Sequence, residues 1–178
     1  MKKYLVALGL ALVSLTSFAA DPVVKNTGDV SLAKIGKTYT CKLIRAVDGD
    51  TLDAKCPVLG TVRVRVSGID TPDRGQPFYK EATAFAEANA GGPNRMINVV
   101  ATQIQLATDR YEARLVGRVY DTKRGLYAKK AASAGFAWGA ENSSVVIKTA
   151  QAKAKSDKLG LWSHLNPIAP SDWRAGKR

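Results

Sequence analysis

TYTCKLIRAVDGDTLDAKC, residues 38–56, holds two β-rich runs separated by an Asp48-Gly49 pair. An Asp-Gly pair between such runs is the strongest short-range hairpin signal, because both central residues of the tight turn need positive φ. With a two-residue turn, Val47 faces Asp50, and the same register sets Cys41 opposite Cys56. Directly opposed strand residues lie about 5.5 Å or less apart at Cα, so a Cys41–Cys56 disulfide is feasible. Two free thiols in a shifted register are the alternative.

Outward from the hairpin, Thr61 to Ser67 alternates strictly, with Val62, Val64 and Val66 on one face and Arg63 and Arg65 on the other. That alternation predicts a third strand with one buried side. Ala82, Phe85, Ala86 and Asn89 follow helical spacing until Gly91-Gly92-Pro93 stops them, and a further β run covers Arg95 to Leu106. Leu115 to Tyr120 reads as another strand, Leu126 to Ala134 as a short helix, and Ser143 to Lys158 as a longer helix ended by Gly160. Five strands with three helices predict an α+β fold, a β-barrel plus α with Greek-key connections.

The chain has 178 residues, enough for one packed core. Residues 1–20 read as a secretory signal peptide: Lys2 and Lys3 precede an apolar run from Tyr4 to Leu15, then small residues up to Ala20. A retained N-terminal anchor is the alternative. Residues 21–37 read as a flexible N-terminal arm, 38–174 as the ordered domain and 175–178 as a basic tail. Lys and Arg number 27 against 15 Asp and Glu, a formal charge of +12, which becomes +10 without Lys2 and Lys3. Such an excess predicts a polyanionic partner. Two Cys and one His exclude a closed Cys/His zinc site and catalysis by a pair of His.

Against this basic background, Asp48, Asp50, Asp53, Asp70 and Asp73 supply five of the fifteen carboxylates within 26 residues. A meander brings the hairpin turn and the end of the third strand to one rim of the sheet. Crowded carboxylates need a counter-charge, and a hard divalent cation with oxygen ligands supplies it. Arg65 leads to the same rim and Arg114 opens a later strand. Guanidinium groups beside a divalent cation suit phosphoryl chemistry, where charge builds on equatorial oxygens. Asp73 is placed to orient or deprotonate a water.

Val47-Asp48-Gly49-Asp50-Thr51, Arg65 before Ile69-Asp70-Thr71-Pro72, Asp109-Arg110-Tyr111 leading to Arg114, Lys158-Leu159-Gly160-Leu161-Trp162-Ser163 and the tail around Asp172-Trp173-Arg174 together resemble the staphylococcal nuclease (thermonuclease) family. The resemblance implies an OB-type five-stranded barrel with three helices and a Ca²⁺-dependent nuclease acting on DNA and RNA, single strands favoured, as a monomer. It implies Asp50, Asp70 and the Thr71 carbonyl as Ca²⁺ ligands, Arg65 and Arg114 on the scissile phosphate, Asp73 serving the water, and a 3′-phosphate product. Arg110 and Tyr111 would contact the terminal phosphate and nucleoside. Two departures stand out: Asp73 replaces the family's usual Glu, one methylene longer, and Glu112-Ala113 stand where one Gly is common. A displaced catalytic group costs about a hundredfold in rate, so a nuclease-fold module that binds nucleic acid without cutting it is the alternative. Export with two Cys suits a periplasmic or secreted protein without stable membrane association after signal cleavage.

Overall fold

The computed structural model describes residues 25–109 and 112–177. Strands β1 (Thr38–Ala46), β2 (Thr51–Cys56) and β3 (Gly60–Val66) form an antiparallel meander. After β4 (Ile69–Asp70) and helix α1 (Tyr79–Asn89), β5 (Met96–Gln105) pairs antiparallel with β1 and with β6 (Arg114–Asp121). A parallel pairing of β3 with β6, Arg63 to Arg114 through Val66 to Gly117, closes the barrel. The five-stranded OB-type barrel follows from the alternation, which puts Leu43, Leu52, Val62, Val64, Val66, Ile97, Val99 and Leu115 into one core. Helices α2 (Tyr127–Ser133) and α3 (Val145–Ser156) cover one side with small buried residues, among them Ala131, Ala132 and Ala150. Among the described residues, no helix is long and apolar enough to cross a membrane.

The hairpin differs from the two-residue turn expected. Ala46 pairs with Leu52, and the Val47 N–H donates to Thr51 O at 2.8 Å, leaving Asp48, Gly49 and Asp50 as the connection. A bulge at Ile44 then absorbs one residue, so the pairing returns to Leu43 with Ala54 and Lys42 with Lys55. One step further along this register, Cys41 and Cys56 form a disulfide, S–S 2.04 Å. The longer turn and the bulge offset one another, which is why the cysteine pairing holds although the turn differs.

Three further features depart from the sequence reading. Ile69–Asp70 of β4 pairs with β7 (Trp138–Gly139), a ribbon too short to leave a period in the sequence. A fourth helix, α4 (Pro170–Arg174), follows the three expected. The segment expected as a flexible arm lies, from Lys25 on, against the barrel: the Gly28 and Asp29 amides donate to Thr61 O and Leu59 O at 2.8 and 2.9 Å, and Val30 and Ala33 are buried. Its few apolar residues suffice because they dock on a finished barrel rather than build a core of their own. The signal segment 1–20 lies outside the described residues.

Candidate active site

At the rim where the β1–β2 turn meets the end of β3, Asp50 is 4% exposed and held by its neighbours. Its N–H donates to Asp48 Oδ1 at 2.9 Å, an Asx turn that aims the residue inward, and its Oδ2 accepts the Thr71 N–H at 2.9 Å. Gly49 is required here by space, since a Cβ would stand 2.8 Å from the Thr71 side chain. Beneath the turn, the buried Tyr127 hydroxyl donates to Gly49 O at 2.6 Å.

Arg65 projects from β3 and spans two carboxylates. Its Nη1 lies 2.8 Å from Asp50 Oδ1, and its Nη2 donates to Asp70 Oδ1 at 3.1 Å. Nη1 also donates to Val66 O and Ile69 O, both at 3.1 Å, which fixes the plane of the guanidinium. The short β4–β7 ribbon, with Asp70 opposite Trp138, holds Asp70 in place.

Burial pushes the Asp50 carboxyl up to about 8; Arg65 opposes this, while Asp48 and Asp70 add to it. Burial likewise raises the Tyr127 phenol, with Asp50 and Asp48 contributing.

Arg114 stands at the start of β6, opposite Arg63 on β3, and lines one groove with Arg65, Arg118, Gln103, Gln105 and Asn142. The groove has a volume of about 710 Å³. The Arg114 Nε donates to the Gln105 side chain across the β5–β6 pair. Of the residues before it, Glu112 is bound by Arg63 Nη1 at 2.7 Å and by Asn26 Nδ2 at 3.0 Å, so it is tied to the barrel and the N-terminal segment. Asp53 belongs to the barrel wall instead of the site: fully buried, it accepts from Arg45 Nε at 3.0 Å and Arg63 Nε at 3.1 Å.

Asp73 reaches the cluster through a residue that the sequence reading does not assign. Arg174 of α4 places Nη1 2.9 Å from Asp73 Oδ2 and Nη2 2.7 Å from Asp70 Oδ2. These carboxylates, Asp70 foremost, raise the Arg174 guanidinium further above its ordinary value. Gln76 is also unassigned by the sequence: its Oε1 accepts the Asp73 N–H at 2.9 Å while its Nε2 donates to Ile168 O at 2.7 Å, tying the loop to the tail. The only signal for Arg174 lay in the motif-bearing tail; Gln76 had none. The structure thus gathers Asp50, Arg65, Asp70 and Thr71, brings Asp73 in through Arg174, and sets Arg114 on the adjoining groove wall. Arg110 and Tyr111 lie outside the described residues.

Among the described residues, no three His, Cys, Asp or Glu side chains converge closely enough to hold a metal ion by themselves. Asp50 and Asp70 are nonetheless close enough for two nitrogens of one guanidinium to span them, and both offer hard oxygen donors. Such a donor set fits a hard divalent cation that keeps water or phosphate in its remaining positions.

Residues 63–164 match the family described as Staphylococcal nuclease homologue. A protein named "Uncharacterized endonuclease" from Escherichia coli O157:H7 is 31% identical over 138 residues, covering 76% of this chain and 85% of the relative. One of the same name from Haemophilus influenzae is 30% identical, covering 76% and 72%. A "Micrococcal nuclease" from Shigella flexneri is 22% identical, covering 77% and 81%. Matched over more than half its length, with its carboxylates and guanidinium groups gathered at one barrel rim, the chain belongs to the staphylococcal nuclease family.

Proposed function

We propose that this protein is an exported, Ca²⁺-dependent nuclease that hydrolyses phosphodiester bonds of DNA and RNA and leaves 3′-phosphate ends. The observation that carries the reading is the Arg65 guanidinium across Asp50 and Asp70, beside a groove that Arg114 shares. Asp50, Asp70 and the Thr71 carbonyl would hold the cation, which when bound supplies positive charge against the phosphate oxygens. Arg65 and Arg114 approach the groove from two strands and grip the phosphate, matching the charge that grows on its equatorial oxygens. Asp73 orients the attacking water and accepts its proton as the new P–O bond forms, and the bond from phosphorus to the 5′-oxygen breaks, that oxygen taking a proton from solvent. A single strand supplies the groove with an accessible phosphate more readily than a stiff duplex does. The Lys2-Lys3 and Tyr4–Leu15 pattern and the Cys41–Cys56 bridge support export to the periplasm or beyond, where disulfides persist. We take the active protein to be a monomer.

Incubation of the protein with single-stranded DNA or RNA, with Ca²⁺ and then with excess chelator, tests the reading. Cutting with Ca²⁺ that stops on chelation is expected, with ends that a 3′-phosphatase alters. Arg65→Ala is expected to lower the rate by about 10²–10³-fold. A strand bound but left intact under both conditions would identify a binding module instead, and undiminished cutting by Arg65→Ala would move the site elsewhere.

A further inference from the structure

Each oxygen of the two carboxylates among the proposed cation ligands already has a partner. Asp50 Oδ1 faces Arg65 and accepts from the Thr51 hydroxyl, Asp50 Oδ2 accepts the Thr71 N–H, and Asp70 Oδ1 accepts from Arg65. These partners lie on the barrel rim itself. Asp70 Oδ2 differs, because its partner is Arg174, 104 residues further along the chain, at 2.7 Å. The other arm of the same guanidinium holds both Asp73 oxygens, at 3.2 and 2.9 Å.

The helix that carries Arg174 is short, with Asp172 and Trp173 half-buried. α4 spans five residues, of which only Pro170 is buried, and the Gln76 contact to Ile168 O reaches the chain just before it. The Arg174 guanidinium adds two ion pairs, made through three charge-assisted hydrogen bonds, to its docking. One guanidinium supplies a single positive charge to two carboxylates, whereas a divalent cation supplies two.

We infer that Arg174 is an internal counter-cation that competes with the divalent cation for Asp70, so that it sets the cation's affinity and couples cation binding to release of α4. The inference rests on the cation assignment made above. Without the ion, Arg174 neutralises Asp70 and Asp73 and keeps them from repelling one another. With the ion, Asp70 Oδ2 exchanges partner, the two ion pairs of Arg174 become the one to Asp73, and α4 loses one of the contacts that dock it. Asp73 is then less tightly held and better able to serve a water. The apparent cation affinity is the intrinsic affinity reduced by the fraction of molecules in which Arg174 has let go.

Equilibrium titration of Ca²⁺ into the wild-type protein, Arg174→Ala, Arg174→Lys and Asp70→Asn tests this, with hydrogen exchange followed at Trp173, Ala175 and Gly176. Those amides donate to Ala169 O, Ser171 O and Trp173 O in the docked tail. Arg174→Ala is expected to bind Ca²⁺ more tightly by on the order of tenfold. Arg174→Lys, a point charge that cannot span two carboxylates, is expected to fall between. Ca²⁺ is expected to speed exchange at the three amides in the wild type and to leave Asp70→Asn unchanged. Equal or weaker binding by Arg174→Ala, or exchange indifferent to Ca²⁺, overturns the inference while binding that is lost in Asp70→Asn keeps the cation assignment. Absence of Ca²⁺ binding from both wild type and Arg174→Ala overturns the two together.

Discussion

Asp50 carries a raised proton affinity because it is buried, with Asp48 and Asp70 adding to the rise against Arg65. Its folded value, about 8, lies above the ordinary 3.8, so between these limits the folded chain holds a proton that the unfolded chain has released. In the absence of cation, this residue's contribution therefore makes stability fall as pH rises from near 4 to near 8, by at most about 1.4 kcal/mol per pH unit. Asp50→Asn is expected to remove that slope. Urea unfolding in chelator at pH 5, 6, 7 and 8 measures it, and a slope that persists in the variant assigns the effect to another group. That Asp50, Asp70 and Asp73 gather near Arg65 was legible because five acids crowd a short stretch of a basic chain around that strand. Arg174 was not assigned because its contacts join positions more than 100 residues apart, and no local period marks such a meeting.

The strands of the meander were legible for a different reason: Val62, Val64 and Val66 alternate with arginines, and a period of two has one structural meaning when one face must be buried. The length of the β1–β2 connection was not, since Asp48-Gly49 marks a turn without counting its residues, and the bulge at Ile44 has no signature of its own. Between α2 and the chain after α3, Gly135 (φ 77°) and Gly160 (φ 52°) bring two backbones together, and Leu161 N–H donates to Gly135 O at 2.9 Å. A Cβ on Gly135 would stand 2.2 Å from Leu159 O, a backbone atom that cannot swing aside. Gly135→Ala is accordingly expected to cost about 1–3 kcal/mol or more, read as a lower urea midpoint with unchanged slope. A midpoint equal to that of the wild type would show that the two segments separate without loss.

For the molecule as a whole, the Cys41–Cys56 bridge closes a loop of sequence separation 15 at the end of the hairpin away from Asp50. Its reduction is expected to cost about 3 kcal/mol in unfolding free energy. Unfolding with and without reductant measures this, and coincident curves would show that the barrel alone fixes the hairpin. The net charge of +12 sets a second expectation: affinity for single-stranded DNA, measured in chelator, should fall linearly on a log–log plot as salt rises. A flat plot would remove the phosphate backbone from the interaction. The barrel was legible from its five strands in order, but the parallel closure of β3 on β6 pairs residues some fifty positions apart and rests on the family resemblance rather than on any local pattern. That closure also sets Arg65 and Arg114 on one groove, one from each side of the joint. Under the proposed mechanism, neither portion of the chain carries both guanidinium groups at one groove before the ring closes, so cutting is expected of the finished fold alone.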